Sequence, residues 1–162
     1  MPEPLVYVDS DIFLNVIKKE KGLWPNSYKV LRAAYRGDIQ IVASTLLLVE
    51  LNGRKGDVDA SERDRIVEEY LERLEIQWVE VDLLVAREVR QLADKYKLRG
   101  PDATHLATAV RTKADYFFSR DKAFPYGTTV GITHVTNPRE VWDPTTDDAE
   151  IDVQAAAEVG PA

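Results

Sequence analysis

Five short apolar runs punctuate the chain, separated by longer stretches in which apolar residues recur at helical spacing. The runs are Leu5–Val8, Ile39–Val42, Gln77–Val81, Tyr116–Phe118 and Val130–Ile132. The first, second and fourth are apolar at nearly every position, which predicts strands covered on both faces. Helices are predicted over residues 11–18, about 26–36, about 45–52, 61–75, 83–96 and 101–112. In the fourth of these, Ile66, Val67, Tyr70, Leu71 and Leu74 share one face, and Ser61 and Asp64 make a capping-box-like start. In the fifth, Leu84, Val85, Val89, Leu92 and Tyr96 form the apolar stripe behind Asp82 as N-cap. The sixth opens with Pro101, a residue suited to the first helical turn. Strands alternating with helices predict an α/β domain with a mostly parallel, five-stranded sheet flanked by helices. The pattern shows no internal repeat and no second domain, and places the domain boundary near Trp142.

Composition narrows the function classes. The 162 residues include no cysteine, which excludes disulfides and thiolate zinc sites, and only two histidines, His105 and His134, too few for a His-rich metal site. The opening Met1-Pro2-Glu3-Pro4 lacks the basic start of a secretory signal, and no apolar run approaches the roughly 20 residues that span a bilayer. The expected location is the cytoplasm, with no membrane partner. The net charge of -7 looks unfavourable for a protein that handles nucleic acid. Six acids and no base lie in residues 143–162, however, so residues 1–142 carry 22 acids against 21 bases. The domain is nearly neutral, and 143–162 reads as an acidic, disordered tail that is dispensable for folding.

Ligands of an open parallel α/β sheet bind beyond the carboxyl ends of its strands. Asp9 ends the first strand, Asp121 follows the fourth, Glu50 sits on the helix leaving the second, and Asp102 lies in the first turn of the helix begun by Pro101. Each has a plainer reading taken alone: a strand end, a turn residue, a solvated face, a partner for the helix dipole. Glu50 is the anomaly, because it interrupts Leu46-Leu47-Leu48-Val49 and Leu51. His105 has the plainer reading of a structural helix residue and is left unassigned. Two carboxylates about 5 Å apart repel by roughly 3 kcal/mol at an effective dielectric near 20. Four of them would rival the about 5–15 kcal/mol net stability of a domain unless a cation neutralises them. Oxygen ligands without cysteine favour Mg2+ or Mn2+, which can activate water at a phosphodiester. These four acids are therefore the candidate catalytic and metal-binding residues.

The motifs around them, taken in order, resemble a known family. Val6-Tyr7-Val8-Asp9-Ser10-Asp11 is similar to the first-strand motif of PIN domains, and Ser44-Thr45-Leu46-Leu47-Leu48-Val49-Glu50-Leu51 to their second. Pro101-Asp102-Ala103-Thr104-His105-Leu106-Ala107-Thr108-Ala109 resembles the third, and Phe118-Ser119-Arg120-Asp121 the fourth. Asn137-Pro138-Arg139-Glu140 is similar to the closing segment after the last strand. The resemblance spans residues 5–142. It implies a three-layer PIN-like fold and a metal-dependent endoribonuclease, in the style of the toxin half of a VapBC-type toxin–antitoxin pair. A small antitoxin protein, an RNA substrate and a homodimer are the partners it implies. Where the family usually has Asn, Ser or another small polar residue, this chain has Asp11, a fifth acid suited to a second metal or to an accessory role. Ser119 is expected beside the metal. Arg120 and Lys122 are candidates for substrate phosphate, as is the basic run Lys18, Lys19 and Lys21 for RNA backbone.

Three rival readings remain at this level. A PIN nuclease could serve RNA processing or decay rather than act as a toxin. A catalytically silent PIN-like module could bind a partner without cleaving. Asp9-Ser10-Asp11 after an apolar strand also resembles the nucleophile and acid of haloacid-dehalogenase-type phosphatases, a reading that leaves Glu50 without a role.

Overall fold

The computed structural model describes residues 2–159 except 53–60, 62, 63 and 66. Strand β1 (Leu5–Val8) leads into α1 (Ser10–Ile17) and α2 (Trp24–Arg36), which returns the chain to β2 (Gln40–Ser44) and α3 (Leu46–Asn52). A π-helical turn at Val67–Glu72 precedes β3 (Ile76–Val79). Helices α4 (Leu83–Tyr96) and α5 (Gly100–Arg111) follow, then β4 (Tyr116–Phe118), β5 (Thr129–Val130), β6 (Thr133–Thr136) and α6 (Thr146–Val159). The sheet order is β3-β2-β1-β4-β6-β5, parallel except for the β5–β6 pair.

Alternation along β1 explains the three layers. Val6 and Val8 enter one buried cluster with Ile12, Phe13, Leu31 and Leu47 from α1, α2 and α3. Tyr7 points to the opposite face, where it joins Leu92, Leu106 and Phe117 from α4, α5 and β4. Each helix starts for a local reason. The Asp82 carboxylate accepts from Val85 N at 2.9 Å, Pro25 and Pro101 occupy first-turn positions, and the Ser44 hydroxyl accepts from Leu46 N at 3.1 Å. Of the helix predicted over 61–75, residues 62, 63 and 66 lie outside the described residues. Farther along, Leu71 and Leu74 are buried as the stripe requires. No helix of the described residues is long and apolar enough to cross a membrane.

Two expectations are corrected. The sequence predicts a fifth strand at Val130–Ile132; instead Gly131, at φ 63°, breaks the run into a tight hairpin. The reversal suits glycine, which reaches positive φ without steric cost. The sheet is therefore six-stranded and mixed, and β6 takes the parallel place beside β4.

The second correction concerns 143–162, expected to be disordered. Residues 146–159 form α6, which docks along α2. Thr145 and Asp148 cap it reciprocally: Asp148 N donates to the Thr145 hydroxyl at 3.2 Å, and Thr145 N to the Asp148 carboxylate at 3.1 Å. Its acids meet bases on α2. Arg32 and Arg36 reach Asp147 at 3.1 and 2.6 Å, Arg36 reaches Asp148 at 3.4 Å, and the buried Lys29 reaches Asp152 at 2.6 Å. Ile151 of α6 is buried. Near the far end, Glu158 accepts from the Trp24 indole at 2.9 Å and pairs with Lys19 at 2.8 Å. Acidity that has no use for an isolated chain is thus matched to a basic neighbour, and the boundary near Trp142 cuts through packed structure.

This docking carries a pH signature. Burial alone would raise the Asp148 carboxyl, but the Trp142 indole at 2.9 Å, both Thr145 donors and Arg36 outweigh it and hold it below the ordinary range. A carboxyl depressed on folding adds stability above its unfolded value near 3.8 and loses it as pH falls through the folded value. Acidification below about pH 4 is expected to undock α6 first, seen as a change in Trp fluorescence, since Trp24 and Trp142 both bond to α6 or its cap. Asp148→Asn should lack that transition; an unchanged acid transition in the variant would show that another group drives it.

Candidate active site

Strand order reverses at β1, whose neighbours are β2 on one side and β4 on the other. The crevice at such a switch point is where α/β folds bind ligands. Asp9 sits there as N-cap of α1: its Oδ1 accepts from Ser10 N at 2.8 Å, and its own N–H donates to Phe118 O at 3.1 Å, which locks the residue to the end of β4. Ser119, fully buried, lies opposite. Its hydroxyl is 2.9 Å from Asp9 Oδ2 and 3.1 Å from Asp11 Oδ2, and it accepts from Asp121 N at 3.0 Å. One hydroxyl proton thus faces two carboxylates. Asp11 Oδ2 also accepts from Arg120 N at 2.8 Å, while Asp11 Oδ1 is buried with no hydrogen-bond partner.

Glu50 enters from α3. Its Oε2 accepts from the Ser10 hydroxyl at 3.2 Å, and its Oε1 is tightly hydrogen-bonded to Nε2 of His105. His105 Nε2 is 3.7 Å from Asp9 Oδ1, and donor atoms of Asp9, Glu50 and His105 all lie within 4.8 Å of one another. Behind the ring, Nδ1 is 2.5 Å from the Tyr7 phenol oxygen, which accepts from Ser44 N at 3.1 Å. Tyr7 and His105 are both fully buried.

The electrostatics are those of crowded acids. Burial raises Asp9 against the pull of His105. Asp11 is pushed up to about 7, first by burial and then by the charge of Asp9. Asp102 is raised by burial and then by Asp121. His105 is driven down by burial, but the Glu50 bond and the Asp9 charge more than compensate and raise it. Burial raises Tyr7 well above the usual phenol value.

The structure therefore brings Asp9 and Glu50 together, with Asp11 and Ser119 beside Asp9. Asp102 and Asp121 stand outside the tight group, close enough to each other for Asp121 to raise Asp102; Asp102 also lies 3.6 Å from the exposed Arg99. Arg120 is half-buried: its Nη2 donates to Leu23 O at 2.9 Å and its Nε is buried without a partner, so its head faces the start of α2. Lys122 is exposed. In the run of lysines after α1, Lys19 is engaged by Glu158 of α6. The residue that sequence reasoning left out is His105. Its signal was a polar ring amid Ala103, Leu106 and Ala107, on the helix face that turns into the core.

Asp9, Glu50 and His105 could hold a metal ion. The orphaned Asp11 oxygen and the single Ser119 proton shared by two carboxylates fit a cation in the crevice. Three or more oxygen donors suit a hard divalent ion.

The architecture is an α/β domain with acids gathered at the switch point of a mostly parallel sheet. The PIN domain family matches residues 6–126, and the chain belongs to that family, whose members are generally nucleases. Solved structures share the fold at low identity. The VapBC complex of Salmonella typhimurium bound to DNA is 12% identical, with a TM-score of 0.62, over 84% of this chain and 99% of that one. A toxin–antitoxin complex from Klebsiella pneumoniae is 21% identical, with a TM-score of 0.60, over 84% and 99%. VapBC2 from Rickettsia felis, bound to a DNA fragment from its promoter, is 14% identical, with a TM-score of 0.59, over 86% and 99%. A search of curated proteins finds no match.

Proposed function

We propose that the protein is a metal-dependent endoribonuclease and the toxin of a VapBC-type pair, held silent in the cytoplasm by a small antitoxin. The observation that carries the chemistry is the set of carboxylates converging at the switch point, where Asp9 and Glu50 are brought together and Asp11 is left with an unsatisfied buried oxygen. The toxin role is supported by the solved structures of similar fold, which are toxin–antitoxin complexes. Asp9, Glu50, Asp102 and Asp121 would hold Mg2+ or Mn2+, with Asp11 and Ser119 accessory to them. When bound, such an ion supplies an activated water and neutralises charge at the scissile phosphate. Ser119 holds the Asp9 carboxylate and the backbone N–H of Asp121 through one oxygen, and Ala123 N donates to the Asp121 carboxylate. Ser10 holds one Glu50 oxygen so that the other stays at the crevice. Lys122 is free to reach substrate phosphate, and Arg120 borders the site from the α2 side. The reading includes a homodimer as the working assembly.

Single-stranded RNA should be cleaved in Mg2+ or Mn2+, and EDTA should abolish the cleavage reversibly. Glu50→Gln should cost about tenfold or more while keeping the fold. Full activity in EDTA would remove the metal mechanism. A generic phosphomonoester should not be turned over; turnover that dies with Asp11→Asn and survives Asp102→Asn would instead mark aspartyl-phosphate chemistry.

A further inference from the structure

A buried chain of hydrogen bonds runs from the backbone of β2 through β1 and α5 to the carboxylate of α3: Ser44 N–H to the Tyr7 oxygen at 3.1 Å, Tyr7 to His105 Nδ1 at 2.5 Å, and His105 Nε2 to Glu50. The proximity of Asp9, Glu50 and His105 donors invites the reading that all three ligate a metal. The contact with Glu50 argues against it for His105. An ionised carboxylate only accepts, so the ring nitrogen hydrogen-bonded to Glu50 Oε1 carries the hydrogen and has no lone pair for a metal. The Tyr7 oxygen accepts from Ser44 N, and the buried O–H of Tyr7 has His105 Nδ1 at 2.5 Å and the Ser44 hydroxyl as acceptors within reach. A neutral ring that accepts at Nδ1 carries its hydrogen at Nε2, the atom that faces Glu50.

We propose that His105 is a positioning residue: an Nε2–H donor, set in that tautomer by Tyr7, that aims Glu50 into the metal crevice and leaves the coordination sphere to oxygens. The inference rests on the nuclease reading above. It assigns opposite jobs to two groups that proximity alone makes equivalent. Asp9 lends the crevice the remaining lone pairs of its carboxylate oxygens, while His105 offers a hydrogen to an oxygen of Glu50. Such partners of a metal-binding carboxylate tune affinity by orientation, and their loss typically costs about 10–100-fold.

The test reads the ring directly. With only two histidines in the chain, proton–nitrogen correlation spectra of protein labelled with 15N-histidine resolve both rings. For His105 they should show a protonated Nε2 without metal and after saturation with Mg2+. Loss of the Nε2 proton on adding Mg2+, or a ring protonated only at Nδ1 in the metal-free protein, would overturn the proposal. Calorimetric titration with Mn2+ supplies the second readout. His105→Leu should weaken binding about tenfold or more and lower kcat with little change in KM, and His105→Gln, which restores an N–H donor towards Glu50, should recover most of both. Unchanged Mn2+ affinity in His105→Leu would equally overturn it. A wild-type protein that takes up neither Mg2+ nor Mn2+ would be a different failure, that of the metal-nuclease reading itself. The wild-type spectra need no variant, so the proposal stays open to refutation even where a substitution at this buried position spoils folding.

Discussion

Asp9→Asn is expected to abolish the proposed metal-dependent RNA cleavage without lowering the melting temperature of the metal-free protein. The two halves of this expectation have one cause. Asp9 is 5% exposed and shares its pocket with Asp11 and Glu50, so in the absence of a cation each charge is a liability to the others. Removing one charge relieves repulsion of up to about 3 kcal/mol per close pair. Asparagine keeps the carbonyl that accepts from Ser10 N, and its amide can donate to Ser119, which is then free to give its proton wholly to Asp11. In Mg2+ the order reverses. The wild type gains about 2.7 kcal/mol at a hundred times Kd, and the variant, short of a ligand, gains less. Cleavage should fall by about a hundredfold or more, beyond what outer partners cost. The measurement is a pair of melting curves, in EDTA and in millimolar Mg2+, beside an RNA assay. An identical Mg2+ shift in the two proteins would refute the assigned ligand.

Truncation after Asp143 is expected to lower the melting temperature by about 5–10 °C, where the sequence alone predicted almost no change. Ile151 would lose its burial. Lys29, with a side chain 6% exposed, would keep Glu140 at 3.0 Å but lose Asp152 at 2.6 Å, and the Trp142 indole would lose Asp148. Burying one large aliphatic side chain is worth about 1.5–3 kcal/mol, and the ion pair of Lys29 with the largely exposed Asp152 adds about 1 kcal/mol or less. Offset by the freedom the released helix regains, a net loss of about 2–3 kcal/mol remains, which at this size shifts the midpoint by the stated amount. A shift within a degree or two would mean that α6 is held too loosely to matter.

What the sequence showed well was whatever depends on local pattern and strand order: β1, β2 and β4, the helices that follow them, and the acids Asp9 and Glu50 at strand exits. What it hid depends on partners far along the chain. Acidity in 143–162 argues for disorder only while α2 is ignored; Lys29, Arg32 and Arg36 recur at helical spacing there, as do Asp148 and Asp152 in α6. Thr145-Thr146-Asp147-Asp148 carries a capping-type helix start, which an acidic composition taken alone conceals. Gly131 sits inside an apolar run that reads as a strand, although its access to positive φ marks a turn. His105 was passed over because a lone buried histidine is common, and because Tyr7, which fixes its role, is 98 positions away and looks like any other core residue of a strand.

The placement of β1 between β2 and β4 also orders events during synthesis. Strands β1, β2 and β3 are made first and can pair in the sequence of their emergence, since β1 lies beside β2 and β2 beside β3. That leaves β1 with an open edge until residues 116–118 arrive more than a hundred positions later. Asp9 is fastened to Phe118 and Ser119, and Asp121 hangs from the same turn. No nascent chain shorter than this can hold the assembled crevice, and contacts this distant in sequence form slowly. The crevice therefore cannot assemble until nearly the whole domain has been made, and the insertion of β4 beside β1 is the step that brings its acids together.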